Sequence, residues 1–128
     1  TSYPRANGNH KDANWRFPKG QTVGKCGEVS RIYFNNIYAT SENGCFIGGD
    51  TKDKVRDIYL NNVHLNLKKV TSYDGGVYDK RPCRGEGFIY NKVYGVYVEQ
   101  ATNVEVDDLK VIADPKINYG GKTFGIDD

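Results

Sequence analysis

The chain has 128 residues, enough for a single domain over residues 1–128 with its own core. It carries 18 basic and 16 acidic residues, and this net charge of +2, with both signs interspersed, argues against nucleic acid as its main partner. No apolar run is long enough to span a membrane, and ten tyrosines, many glycines and no methionine are typical of an all-β fold.

Residues 1–28 are predicted to form an irregular N-terminal segment, because turn-forming residues dominate the stretch Tyr3–Gly20. This segment contains the only tryptophan of the chain, Trp15, next to Arg16 and Phe17. The ring of Trp15 is a candidate platform for a sugar. The alternative is that Trp15 closes the side or the end of the core, as large aromatic residues often do.

The stretch Arg31–Ala39, RIYFNNIYA, has apolar residues at alternate positions, and the alternation changes parity at two asparagines. The stretches Asp57–Leu65, DIYLNNVHL, and Asn103–Val111, NVEVDDLKV, follow the same template. Alternation of this kind is typical of half-buried strands. The repeated change of parity predicts a corner between two short strands, because Asn and Asp accept left-handed backbone angles.

Three copies of one template predict that the copies stack through parallel strands, as in a β-solenoid. Asn36, Asn62 and Asp108 are then neighbours at successive corners, where their side chains can hydrogen-bond in a ladder. The inward apolar positions, with one residue from each preceding short strand, form the predicted core: Ile32, Phe34, Ile37, Ile47, Ile58, Leu60, Val63, Leu65, Val98, Val104, Val106, Leu109 and Val111.

Outward positions of the repeat carry aromatic residues. Tyr33 and Tyr59 are predicted to stack as neighbours on one face, and Tyr38 and His64 are predicted to stack on the next face. Exposed aromatic stacks can grip a polysaccharide, but they also stabilise adjacent parallel strands without binding any ligand. The second explanation is the more economical one.

A further short strand is predicted before the second copy, at Gly44–Ile47, and before the third copy, at Gly95–Val98. The first two copies begin 26 residues apart, a suitable length for one coil, whereas the second and third begin 46 residues apart because a long loop intervenes. Coils are therefore predicted at 29–67, the long loop at 68–95, and the last coil with a C-terminal tail at 96–128.

The long loop contains most of the candidate binding residues. Aromatic and ionisable residues cluster among its glycines: Tyr73, Asp74, Tyr78, Asp79, Arg81, Arg84 and Glu86. Aromatic rings pack on the C–H faces of sugars, and the planar fork of arginine suits the carboxylate of a uronic acid. The loop is therefore a candidate border of a saccharide groove, with these predicted substrate-binding residues: Tyr78, Asp79, Arg81, Arg84, Glu86 and Trp15. The alternative is a structured surface loop whose Arg and Asp residues pair with each other.

The three cysteines, Cys26, Cys45 and Cys83, form no CxxC pair, and two histidines are too few for a zinc site. The sequence therefore predicts no metal and no other cofactor. Cys45 lies in a predicted strand and is expected to be a small core residue with a free thiol. A disulfide between two of the three cysteines is the alternative for an exported protein.

The stretch Phe46–Leu65, FIGGDTKDKVRDIYLNNVHL, resembles the later coils of right-handed parallel β-helix proteins of the pectin lyase-like superfamily. It is most similar to the polygalacturonase-like enzymes of glycoside hydrolase family 28, and Gly95–Val111 looks like another such coil. The resemblance implies an all-β fold, namely a right-handed single-stranded parallel β-helix of about three to four coils with a long loop insertion.

The catalytic motifs of that family are absent from this sequence. Its enzymes use Asn-Thr-Asp, Asp-Asp, Gly-His-Gly and Arg-x-Lys motifs, and they invert the anomeric centre with a paired acid and base. Of the two Asp-Asp pairs present here, Asp107-Asp108 occupies a corner of the repeat and Asp127-Asp128 ends the chain. The catalytic residues are therefore unknown, and the isolated chain is expected to be inactive.

The resemblance implies that the chain is the C-terminal part of a secreted, polysaccharide-degrading glycoside hydrolase, located outside a bacterial cell, in its periplasm or on its surface. The implied partner is a pectic or other plant or host polysaccharide, and self-association through exposed coil ends is expected. The alternative is a non-catalytic carbohydrate-binding or structural β-solenoid of a cell-surface protein or a phage tail-spike.

Overall fold

The computed structural model describes residues 27–80 and 87–126. These residues form eight strands and no helix, so they include no helix long and apolar enough to cross a membrane. The strands are β1 (Val29–Ser41), β2 (Cys45–Gly48), β3 (Val55–Leu67), β4 (Val77–Asp79), β5 (Phe88–Tyr90), β6 (Val93–Glu99), β7 (Thr102–Ala113) and β8 (Tyr119–Phe124). The prediction of an all-β fold is confirmed. Most of the predicted irregular N-terminal segment lies outside the described residues.

Two parallel three-stranded sheets contain six of these strands. One sheet has the order β1-β3-β7, and the other has the order β2-β6-β8. In the first sheet the three repeat copies align residue by residue, so that Ile32 pairs with Ile58 and Ile58 pairs with Val104. The predicted parallel stacking of the copies is confirmed. The predicted short strands at Gly44–Ile47 and Gly95–Val98 correspond to β2 and to part of β6.

The change of parity in each copy is a backbone corner. Asn36, Asn62 and Asp108 have φ angles of 58°, 56° and 55°, in the left-handed region that Asn and Asp accept. The Nδ2 of Asn62 donates a hydrogen bond of 2.8 Å to the Oδ1 of Asn36. One residue with positive φ turns the chain, so on β3 the apolar side chains before and after the corner, Leu60 and Val63, are both buried, as the sequence predicts.

A second corner lies nearer the start of each long strand, and the sequence pattern does not predict it. Arg31, Asp57 and Asn103 have φ angles of 58°, 56° and 53°. The Nδ2 of Asn103 donates a hydrogen bond of 2.7 Å to the Oδ1 of Asp57. Each long strand therefore turns at two corners.

One apolar core is built from both parallel sheets. Eight of the predicted core residues are buried in it: Ile47, Ile58, Leu60, Val63, Leu65, Val98, Val104 and Leu109. The same core contains six buried residues that were not predicted: Val55, Leu67, Val93, Val96, Ala101 and Ile117. Burial of each large apolar side chain stabilises the fold by about 1.5–3 kcal/mol.

The prediction that Phe34 and Ile37 are buried in the core is wrong. Their exposed fractions are 44% and 38%, whereas Leu60 and Val63, which pair with them on β3, are 4% and 2% exposed. The reason is that β1 is an outer strand, with β3 as its only neighbour among the described residues of the sheet. Three further predicted core residues are half-buried on the two outer strands: Ile32, Val106 and Val111.

The predicted long loop at 68–95 contains regular structure. β4 and β5 pair as an antiparallel hairpin, and β6 begins at Val93, before the predicted end of the loop. The hairpin packs on the β2-β6-β8 sheet, where the ring centroids of Tyr78 and Tyr97 are 4.4 Å apart. β8 lies in the predicted C-terminal tail and was also not predicted, although it pairs in parallel with β6.

Candidate functional site

Three cavities adjoin one another and together form what we term the groove. The first, of about 370 Å³, lies on the β1-β3-β7 sheet and is lined mainly by Tyr38, Thr40, His64, Asn66, Lys110 and Ile112. The second, also of about 370 Å³, shares Asn66 and Ile112 with the first. The third, of about 530 Å³, shares Lys69 with the second and lies among the connections that follow β1, β3 and β7.

Tyr38, His64 and Lys110 form one row across the first cavity, because they pair in the register of β1, β3 and β7. The ring centroids of Tyr38 and His64 are 4.6 Å apart, so the two rings are neighbours as predicted, but their planes are tilted by 52° and do not stack in parallel. Tyr38 is 69% exposed. The Nε2 of His64 lies 2.9 Å from the Oδ1 of Asn62, and this hydrogen bond holds the imidazole in place. The row therefore presents an exposed ring, an imidazole and an ammonium group.

A second row runs beside the first and consists of Thr40, Asn66 and Ile112, which also pair across the three strands. Thr40 and Asn66 offer a hydroxyl and an amide, which both donate and accept hydrogen bonds. Ile112 is 73% exposed and adds an apolar surface. The first cavity thus combines apolar surface with several hydrogen-bonding groups, as ligand sites generally do.

Glu42 ties the long loop to the connection that follows β1. Its carboxylate accepts hydrogen bonds from the backbone N–H of Thr71, from the Thr71 hydroxyl and from the backbone N–H of Val70, and the Nζ of Lys69 lies 3.6 Å away. These contacts, led by the backbone N–H of Thr71, lower the pKa of Glu42 from 4.5 to about 2. Glu42 is therefore ionised at neutral pH, where it anchors the loop and is not a proton donor.

Acid is expected to destabilise the wild-type chain more steeply than the Glu42→Gln variant. The folded pKa of about 2 lies below the unfolded value of 4.5, so the contribution of Glu42 is fully present above pH 4.5 and is lost as the pH falls toward 2. Urea unfolding midpoints measured from about pH 6 down to pH 2 report this difference. The control is Glu105→Gln on β7, where the carboxylate accepts no hydrogen bond within the described residues. If this variant changed the pH dependence of the urea midpoint as much as Glu42→Gln does, the role of Glu42 would be contradicted.

The third cavity also presents exposed side chains from two connections: Tyr73, Asp74, Lys116 and Asn118. Tyr73 is 79% exposed. The ammonium group of Lys69 donates to the backbone carbonyl oxygens of Thr71 and Tyr73, and these bonds fix that stretch of the loop. An aromatic ring, a carboxylate, an ammonium group and an amide can therefore contact a ligand in this cavity.

Four lysines and three acidic residues line the groove: Lys68, Lys69, Lys110 and Lys116, with Glu42, Asp74 and Asp114. The carboxylate of Asp114 accepts hydrogen bonds from the backbone N–H groups of Lys116 and Lys69, and these bonds lower its pKa. Glu42 is engaged by the loop in the same way. Lys110 and Lys116 are exposed at the first and third cavities. The first cavity contains Lys110 and no acidic residue, so a negatively charged group of a ligand is favoured there.

Tyr78, a predicted substrate-binding residue, is only 4% exposed. Its ring lies against those of Tyr97 and Phe46, at centroid distances of 4.4 and 5.6 Å. Its hydroxyl donates to the backbone carbonyl of Lys92 and accepts from the backbone N–H of Tyr94, at 3.1 and 3.3 Å, and burial raises its pKa. In this arrangement Tyr78 packs the hairpin onto the sheet, and its ring offers no face to the groove.

The other predicted residues of the long loop lie in different places. Asp79 is exposed at the end of β4 and does not line the groove. Four predicted substrate-binding residues lie outside the described residues, so their assignments stay predictions: Trp15, Arg81, Arg84 and Glu86. The loop nevertheless reaches the third cavity through Tyr73 and Asp74, which the sequence pattern grouped with it.

Several groove residues were not identified from the sequence: Glu42, Lys69, Lys116 and Asn118. They lie on three connections that are far apart in the sequence, and no local pattern joins them. Lys110 could be identified from the sequence, because it occupies the outward position of the third copy that corresponds to Tyr38 and His64.

The described residues contain no group of three or more His, Cys, Asp and Glu side chains placed to bind a metal ion. Cys45 is half-buried with a free thiol, and burial raises the pKa of that thiol. These properties agree with the core role predicted for it. Cys26 and Cys83 lie outside the described part of the chain.

The groove can thus bind an extended ligand by stacking on Tyr38 and Tyr73 and by hydrogen bonds to the polar groups between them. The exposed lysines add attraction for negatively charged groups on that ligand. Comparisons of the chain with protein-family models, with curated proteins and with solved structures found no match.

Proposed function

We propose that the chain forms part of a right-handed, single-stranded parallel β-helix of the pectin lyase-like kind. Three features support this proposal: the repeat copies stack in parallel register, each copy turns at residues with positive φ, and both sheets share one core. The successive coils are β1 with β2, β3 with β6, and β7 with β8. The right-handed sense follows from the general rule for connections between parallel strands.

The proposed function of this segment is to bind a polysaccharide along the groove. The observation that carries the proposal is the arrangement of the cavities in series, with the exposed rings of Tyr38 and Tyr73 in the two end cavities. A chain of sugars has C–H faces and many hydroxyl groups, so it matches rings that are separated by amide, hydroxyl and ammonium groups. A single sugar would occupy only one of the three cavities.

The proposed parent protein is a secreted bacterial glycoside hydrolase that resembles the pectin-active enzymes of family 28, with this chain as its C-terminal part. Lys110 and Lys116 suit the carboxylates of a pectic uronate. The catalytic motifs of the family are absent from the sequence, so the chain alone is expected to bind without cleaving. A non-catalytic carbohydrate-binding β-solenoid would bind in the same way, and it would lack those motifs in the remainder of the protein as well.

The variants Tyr38→Ala and Tyr73→Ala are each expected to weaken the binding of galacturonate oligosaccharides about tenfold, because a ring stacked on a sugar contributes about 1.4 kcal/mol. Isothermal titration calorimetry with the full chain measures the dissociation constants. An oligosaccharide that reaches both end cavities should respond to both substitutions, whereas a disaccharide should respond to no more than one.

Tyr33→Ala is the matched control for these variants. Tyr33 is 63% exposed and its ring lies 4.8 Å from that of Tyr59, but it does not line the groove. This substitution should leave the affinity unchanged. Equal losses in Tyr33→Ala and Tyr38→Ala, or no binding by the wild-type chain, would overturn the proposed site. A reducing-sugar assay with the chain alone should detect no turnover.

A further inference from the structure

The outer edge of β1 exposes apolar side chains, whereas the apolar side chains at the paired positions of β3 are buried. Phe34 and Ile37 are 44% and 38% exposed on β1, whereas their partners Leu60 and Val63 on β3 are 4% and 2% exposed. An outer strand also presents backbone N–H and C=O groups that can pair with another strand. One further parallel strand on β1 would therefore cover both side chains and continue the sheet.

The two outer strands of this sheet carry opposite charge. Arg31 is the only charged residue of β1, whereas β7 carries three acidic residues and one basic residue: Glu105, Asp107, Asp108 and Lys110. Continuing the same register by one strand would bring these acidic side chains to the strand of Arg31. Lys110 would then lie beside the exposed ring of Tyr38, where an ammonium group is attracted by the ring face.

The corner residues of the two outer strands are also complementary. Asn36 accepts the hydrogen bond from Asn62 with its Oδ1, and its Nδ2 group donates to no acceptor within the described residues. A further strand that carries Asp108 at the same corner would supply a carboxylate for this group. At the other corner, a further Asn103 would bring its amide oxygen to the guanidinium group of Arg31.

The two outer strands of the second parallel sheet also carry side chains that could pack against each other in a neighbouring copy. β2 and β8 are its outer strands, and its register pairs Phe46 with Tyr97 and Tyr97 with Phe124. Phe124 is 40% exposed. A second copy placed with its Phe124 beside Phe46 would extend this aromatic row, and aromatic pairs of this kind stabilise an interface.

We propose that copies of this chain associate head to tail, with β7 and β8 of one copy docking on β1 and β2 of the next copy in the same parallel register. Val106 of one copy then covers Phe34 of the next, and Leu109 covers Ile37. Because the two docking surfaces differ, each copy retains one free surface, and association continues beyond a dimer. The inference rests on the strand register, requires no ligand in the groove and concerns the chain of this sequence by itself, because an upstream coil of the proposed parent protein would occupy the same edge of β1.

Sedimentation velocity over a range of concentrations, with the full chain and without glycan, tests the proposal. The mass of the wild-type chain should rise with concentration past that of a dimer. Ile37→Lys should abolish this rise, because it places an unpaired ammonium group against Leu109 of the neighbouring copy. The double variant Glu105→Arg with Asp107→Arg should abolish it too, because it reverses the charge of the β7 surface while changing only exposed side chains.

An equimolar mixture of these two variants separates head-to-tail contact from every symmetric alternative. The Ile37→Lys copy keeps an intact β7 surface, and the double variant keeps an intact β1 surface. The mixture should therefore form 1:1 dimers and nothing larger, although each variant alone stays monomeric. Circular dichroism confirms that each variant is folded, and Phe34→Lys replaces Ile37→Lys if the latter does not fold.

Three results would overturn the proposal. A wild-type chain that stays monomeric at all concentrations would show that β1 is covered in another way, with residues 1–26 as the first segment to examine. Loss of association in Ile37→Lys but not in the double variant would indicate a symmetric contact of β1 with β1. A mixture that does not dimerise would exclude the pairing of the β7 surface with the β1 surface. None of these results depends on whether the groove binds a polysaccharide.

Discussion

Gly44→Ala is expected to lower the free energy of unfolding by about 3 kcal/mol, because the position has no room for a side chain. A Cβ atom at Gly44 would overlap the backbone carbonyl oxygens of Tyr94 and Gly95. These atoms belong to β6, which pairs with β2 immediately after Gly44, so they cannot move away without disturbing the ladder between the two strands. Urea unfolding followed by circular dichroism measures the loss.

Gly27→Ala is the matched control for this substitution. A Cβ atom at Gly27 meets no atom of the described residues within 4 Å, so the free energy of unfolding should change by less than about 0.5 kcal/mol. If Gly44→Ala unfolded at the same urea concentration as the wild-type chain, the close approach of β2 to β6 would be contradicted.

Leu60→Ala is expected to lower the free energy of unfolding by about 3 kcal/mol, because it removes a buried side chain and leaves a cavity between packed strands. Leu60 is 4% exposed and lies in the middle strand of the β1-β3-β7 sheet. The comparison is with Phe34→Ala at the paired position on β1. Phe34 is 44% exposed, so this substitution should lower the free energy of unfolding by about 1 kcal/mol.

The two variants must be compared at a protein concentration at which the chain is monomeric, since association would cover Phe34. Urea midpoints measured at low and at high protein concentration distinguish the monomeric chain from the associated chain. Equal losses for Leu60→Ala and Phe34→Ala at low concentration would show that the edge of β1 is already covered in the single chain.

The parallel register of the first sheet was predictable from the sequence because two local signals agree. Alternation with a period of two determines which side chains of each copy face the same way. An Asn or Asp at Asn36, Asn62 and Asp108 marks the place where the chain turns. A slip by one residue would reverse the faces, so the template leaves one alignment of the three copies.

The remaining parts of the fold lack such a signal. The corner at Arg31, Asp57 and Asn103 uses three residue types, so no repeated letter marks it. β8 contains two glycines and a lysine within YGGKTF, and its strand conformation comes from pairing with β6. The exposure of Phe34 depends on whether another strand lies beyond β1, and local sequence carries no information about that.

The candidate site was predictable only where it follows from the register. The contact between the rings of Tyr38 and His64 is such a case. The third cavity is different, because its residues come together only after the connections that follow β1, β3 and β7 are placed side by side. Tyr78 shows a further limit: a tyrosine in a glycine-rich loop resembles a sugar platform, yet two backbone partners satisfy its hydroxyl and permit burial of the ring.

The long loop leaves the first sheet after Leu67 without disturbing its register, and it rejoins the second sheet at Val93, where the register of β6 on β8 shifts between Val93 and Tyr94. Neighbouring backbone holds both ends, since the carbonyl of Leu67 accepts from the N–H of Asp114 and the N–H of Val93 donates to the carbonyl of Asn118. Closing a loop costs only about 0.6 kcal/mol more for each doubling of its length. Segments of very different size can therefore be exchanged at this one place while the scaffold persists, which makes it the point where evolution or an engineer can most readily change the residues that line the third cavity.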